Sequence, residues 1–254
     1  MEVSANPEVL RTNRPKSQPR TKPGFFFAMA SLCVLYAFGG FTPTYFAPLA
    51  SGTFGPVTPV VHIHGILFFS WTLVFLLQTW LINRSGVAVH RSVGMGGISL
   101  ATAMVIVGAI VSLQKQQRTI DAGLLDLGYS LGLSGLLSLI GFGVMFALAI
   151  RYIRRPDYHK RLMLMATCML MNAPIARLYR PMFNPRPPVP WLVNATVDII
   201  LVALLLYDWK SLRRPHVVTV GAGLFLLSKQ SLVGVITATG AWRSLYDTLL
   251  QLVA

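Results

Sequence analysis

His90 opens the segment HRSVG and His159 opens HKRLM, each at the polar end of a long apolar run. Two imidazoles carried to one membrane surface by different helices form the donor set that axial ligation of a haem b iron requires. Cations beside such a pair suit the two propionates, and Arg91, Lys160 and Arg161 stand next in sequence. We therefore expect His90 and His159 as metal ligands, with Arg91, Lys160 and Arg161 completing a cofactor site. His216 also begins an apolar run close to Arg214, but it follows Pro215 and ranks below the other two.

A second set of polar residues falls nearer the opposite surface. His64, Phe68, Trp71, Phe75 and Gln78 recur at steps of four and three, so a helix over them presents one stripe that must face other helices. His62 is two residues from His64 and points away from it, so the pair cannot share one centre without local unwinding. His159 and Arg177 share a face five turns apart, Asn194 and Asp198 are four apart, and His216 and Gln230 share a face fourteen apart. Rising about 1.5 Å per residue, His64, Arg177 and Asp198 reach comparable depths, and an Asp198–Arg177 pair is expected inside the bundle. These three and Trp71 are the expected lining of an outer pocket.

Other chemistries are poorly served. Lys229 in the last apolar run invites a retinal Schiff base, but residues 90–113 hold no carboxylate to act as counterion. Pairing with Asp198 or snorkelling to the interface accounts for that lysine more simply. Met163, Met165, Met169 and Met171 fan around a helix instead of converging, and Cys33 and Cys168 read as buried thiols. Glycines in VGMGG (93–97) and GFG (141–143) allow helices to approach closely. No phosphate loop, Ser-His-Asp set or HExxH zinc motif is present.

The elements that must position these residues are seven apolar runs, 24–47, 57–82, 90–113, 127–152, 159–181, 190–208 and 216–237, each long enough to span a bilayer. With 54% hydrophobic and 12% charged residues, this is the composition of an all-α polytopic membrane protein. The net charge of +14 reports topology. Fifteen of the 22 lysines and arginines fall in residues 1–23 and in the loops after the second, fourth and sixth runs together with the run ends that flank them. Basic residues stay on the cytoplasmic side, so the N-terminus is expected inside and the C-terminus outside. Anionic lipid, and no nucleic acid, is the partner such basicity implies. The expected organisation is a disordered basic tail over 1–23, a transmembrane domain over 24–237 whose first run acts as a signal anchor, and an interfacial helix over 238–254 anchored by Trp242. NPRPPVP (184–190) marks an external turn.

Four separated segments, HIHGILFFSW (62–71), HRSVG, HKRLMLMAT (159–167) and SKQSLVGVITATGAW (228–242), resemble an uncharacterised bacterial family of seven-helix membrane proteins, over most of residues 24–250. More distantly, His-Arg and His-Lys-Arg-Leu-Met at helix starts look like membrane cytochromes b of the ascorbate-reductase type and like assembly proteins of haem-copper oxidases. That type carries two histidine pairs on four consecutive helices, whereas residues 127–152 hold no histidine, so one haem on the cytoplasmic side is what carries over. The resulting expectation is a multi-pass inner-membrane haem b protein serving electron transfer or respiratory-complex assembly, with His64 and Trp71 beside a quinone. A proton-coupled transporter built on His64, Arg177 and Asp198, and a scaffold without catalytic activity, are the alternatives.

Overall fold

The computed structural model describes residues 24–84, 86–183 and 189–251, with the Asn83 side chain left aside. The tail expected over 1–23, residues 184–188 of the proline-rich turn and the last three residues lie outside them. Ten α-helices and no strand occur among the described residues: α1 (Phe25–Phe41), α2 (Ala47–Ala50), α3 (Pro59–Arg84), α4 (Val87–Asp121), α5 (Leu125–Arg151), α6 (Pro156–Met169), α7 (Asn172–Phe183), α8 (Pro190–Leu212), α9 (Val217–Thr237) and α10 (Gly240–Leu250).

Proline and glycine set most boundaries. Pro156 and Pro190 stand in the first turns of α6 and α8, where a missing N–H costs nothing. The turns into α4 and α5 pass through Gly86 and Gly123 at φ of 81° and 82°. A Cβ disfavours that region, and glycine enters it freely. Within the first apolar run, Pro43 falls in a π-helical turn, Thr42–Phe46, that joins α1 to α2. Six helical segments are long and apolar enough to cross a membrane, and α6 with α7 makes a seventh if that bent pair counts as one span.

The run expected to be one helix over 159–181 is therefore broken. Pro174 removes the N–H that would have bonded to Leu170, and the chain turns at Leu170 and Met171. The two halves meet at 41°. At 35 residues α4 extends well beyond the expected 90–113. Its length of about 50 Å exceeds a hydrocarbon core of about 30 Å, so its last turns can stand in the headgroup region.

Helix α5 lies at the centre, packed on α4, α6 and α9, while α1 packs on α3 and α7. Gly141 of α5 sits beside Phe225 and Met169, closer than a Cβ would permit, which agrees with the role read for GFG. Trp71, Phe142, Met165, Met169, Ile200, Leu204 and Leu226 form the shared core. Each long span also exposes large apolar side chains outward, among them Leu35, Ile66, Ile106, Ile140, Leu206 and Leu224. Such a surface suits lipid and would aggregate in water. The C-terminal α10 does not use Trp242 as a surface anchor: Trp242, Tyr246 and Leu250 turn inward, and Trp242 Nε1 donates to the Tyr129 carbonyl at 3.3 Å. Gly132 gives the Tyr246 ring its space, and burial pushes the Tyr246 phenol up to about 12.

Candidate functional site

The first turns of α4 and α6 bring His90 and His159 face to edge, with ring centroids 6.3 Å apart and planes at 85°. Each ring is steered by a main-chain carbonyl of a neighbouring helix. His159 Nδ1 is 2.9 Å from the Ala149 oxygen on α5, and His90 Nδ1 is 3.4 Å from the Gln78 oxygen on α3. A carbonyl only accepts, so the geometry assigns the proton to Nδ1 and leaves a lone pair on each Nε2. This is the outer-shell arrangement that readies histidine as a metal ligand. Two metal–nitrogen bonds of about 2 Å each would set the Nε2 atoms about 4 Å apart around one shared metal; the edge-to-face packing brings the two rings into the same neighbourhood.

Gln78 contributes its side chain as well as its carbonyl. The amide is buried, and its Oε1 has no hydrogen-bond partner. Gly94, one turn beyond His90, makes room for it: a Cβ there would lie 3.2 Å from Gln78 Nε2. An unpaired buried amide costs about 1–3 kcal/mol, and its place beside the imidazole pair marks this end of the bundle as polar and unfinished. Gln78 was legible as a member of the α3 stripe but carried no sign of proximity to His90.

The cations expected around the pair divide. Arg91 is exposed. Lys160 lies over the rings of Phe26 and Tyr207, at 5.0 and 5.7 Å. Arg161 is not available to a cofactor, contrary to expectation: only 2% exposed, it donates to Asp208 through Nε at 2.8 Å and through Nη2. Asp208, fully buried, also accepts from Thr219 Oγ1 and from the His216 main-chain N–H. His216 caps α9 through Nδ1 and meets Asp157 through Nε2, so it serves the helix end. The proximity of Arg161, Asp208, Thr219 and His216 across α6, α8 and α9 was not readable from spacing within any one helix.

The expected outer pocket changes more. Trp71 is 1% exposed in the core, donates from Nε1 to Thr167 Oγ1 at 3.2 Å and packs edge-on against Phe142 and Phe146. Asp198 accepts from Gln230 Nε2 at 2.9 Å and makes no ion pair with Arg177. Arg177 instead bonds to the Ala173 carbonyl and stacks over Phe41 at 4.3 Å. His64 packs on Phe68 and leaves Nδ1 buried without a partner, while His62 bonds to Tyr45 Oη at 2.8 Å. Lys229 is buried and donates to Ser138 Oγ and Asn172 Oδ1, and Asn172 passes a bond to Asn194. It does not snorkel, and Asp198 stays within electrostatic range without a direct ion pair; the break between α6 and α7 delivers Asn172 to it.

Compared with protein-family models, with curated proteins and with solved structures, the chain matches none.

Proposed function

We propose that His90 and His159 hold one haem b through their Nε2 atoms and that the protein is a membrane electron carrier, acting in electron transfer or in the assembly of a respiratory complex. The observation that carries this reading is the spacing and mutual orientation of two imidazoles whose Nδ1 atoms are both turned to main-chain carbonyls. When bound, the haem would supply one-electron chemistry. Around it, the Ala149 and Gln78 carbonyls orient the ligands and strengthen their basicity. The unpaired Gln78 Oε1 is an acceptor suited to a bridging water, and exposed Arg91 is the cation best placed to neutralise a propionate.

In the same reading the α6–α7 pair is one bent span, giving seven crossings of the plasma membrane. The lysine and arginine bias then sets the N-terminus and the haem on the cytoplasmic side and the C-terminus outside. A membrane quinone is the redox partner that a lipid-embedded site favours.

The test is a reduced-minus-oxidised absorbance spectrum of the purified chain from cells that make haem. A haem b band of one equivalent, lost in His90→Ala and in His159→Ala and kept in His216→Ala, is the expected result. A colourless wild-type protein overturns the proposal.

A further inference from the structure

At the other end of the bundle, four basic groups gather, and no described carboxylate pairs with them. His64 lies within electrostatic range of Arg177 and Lys115, and Lys115 lies within range of Arg177 and Arg180. They come from α3, α4 and α7. The register is fixed by Phe68, one turn from His64, which fills the space left at Gly108 on α4. Lys115 follows Gly108 by seven residues and so shares its face.

Like charges repel, and bundles usually place a carboxylate among them. Here none is free to serve. Each described carboxylate is engaged elsewhere: Asp121 with Gln117, Asp126 with Arg243, Asp157 with His216, Asp198 with Gln230, Asp208 with Arg161 and Asp247 with Tyr129. Among the described residues, Lys115, Arg177 and Arg180 make no ion pair. The clustering also runs against the overall charge distribution, because this end holds the minority of the chain's lysines and arginines.

We propose that His64, Lys115, Arg177 and Arg180 form a binding site for a phosphate group. Arg177 has the right presentation: its guanidinium is held flat on Phe41, with only Nη1 committed to a main-chain carbonyl, so the rest of the fork remains for an oxyanion. His64 keeps a buried ring nitrogen unpaired. Lys115 and Arg180 are exposed and can close over a ligand from the aqueous side, which the long α4 reaches. Free inorganic phosphate and a phospholipid headgroup share the chemistry that this cluster recognises. The site lies apart from His90 and His159 and does not rest on haem.

The experiment uses the full chain in nanodiscs. In neutral phosphatidylcholine discs at constant ionic strength, inorganic phosphate is titrated and binding is read by calorimetry and by the rise in Tm. In a second arm without phosphate, Tm is compared between phosphatidylcholine and phosphatidylglycerol discs. Saturable stabilisation in the first arm assigns a free oxyanion; stabilisation in the second arm alone assigns the lipid headgroup. In whichever arm responds, Lys115→Gln and Arg177→Lys should each weaken the effect about tenfold, the worth of one charge-assisted hydrogen bond. The first variant is at an exposed position and should fold. Arg118→Gln, which removes an exposed charge three residues away, should leave the response intact. No response in either arm, or an equal loss in Arg118→Gln, overturns the proposal.

Discussion

Removing the Asp208 charge should be among the most damaging single changes in this protein. Asp208 is fully buried and accepts four hydrogen bonds, two of them from Arg161, which is itself 2% exposed. Asp208→Asn preserves shape but leaves a guanidinium in the core without its counter-charge. Breaking one side of a buried pair costs about 3–5 kcal/mol. That is a large part of the roughly 5–15 kcal/mol that stabilises a typical domain. Arg161→Met should cost less, about 2–4 kcal/mol, because Thr219 and the His216 N–H still solvate the carboxylate. The double change Arg161→Met with Asp208→Leu removes both charges together and should return to within about 2 kcal/mol of the wild type, since apolar replacement of a buried pair is often neutral. Reversible unfolding in detergent, arranged as a double-mutant cycle, measures the coupling, expected at about 2 kcal/mol or more, the size seen for contacting residues. Additive single changes, or an Asp208→Asn cost below about 1 kcal/mol, would refute a desolvated pair. The double variant also separates structure from function: with Arg161 tied to Asp208, not to a propionate, any haem band should survive in it and vanish in His159→Ala.

Trp71→Ala should cost about 3–5 kcal/mol in the same unfolding assay, as removal of a core aromatic does, while leaving phosphate binding unchanged because the ring's partners are Thr167, Phe142 and Phe146. Gly132→Ala places a methyl into the Tyr246 ring. It should destabilise by about 1–3 kcal/mol, with α10 becoming more sensitive to protease than α5. Lys229 is a buried ammonium whose hydrogen-bond partners are neutral, with Asp198 within electrostatic range but not in direct contact. Lys229→Met should therefore leave unfolding unchanged or raise stability by up to about 2 kcal/mol; a marked loss would show that the charge is compensated.

What sequence could reveal followed the range over which its periodicities act. Apolar runs and the inward stripe from His64 to Gln78 are properties of single helices, and burial of Trp71, Phe75 and Gln78 follows that stripe. The break at Met171 was hidden because an apolar run looks alike on both sides of Pro174, and only the proline itself betrays the bend. Partner choice between helices was read unevenly. His90 and His159 begin helices on the same side of the bundle, as topology requires, and they meet because α4 and α6 both pack on α5. Asp198, Arg177 and Lys229 occupy similar depths on different helices, and depth does not say which faces are opposed. Rotation of α7 past the break turns Arg177 to Phe41 and Asn172 to Lys229, leaving Asp198 to Gln230. The same rotation that dissolves the expected Arg177–Asp198 pair is what leaves Arg177 without a carboxylate beside His64 and Lys115, so the failure of one sequence expectation and the anion site have a single structural cause.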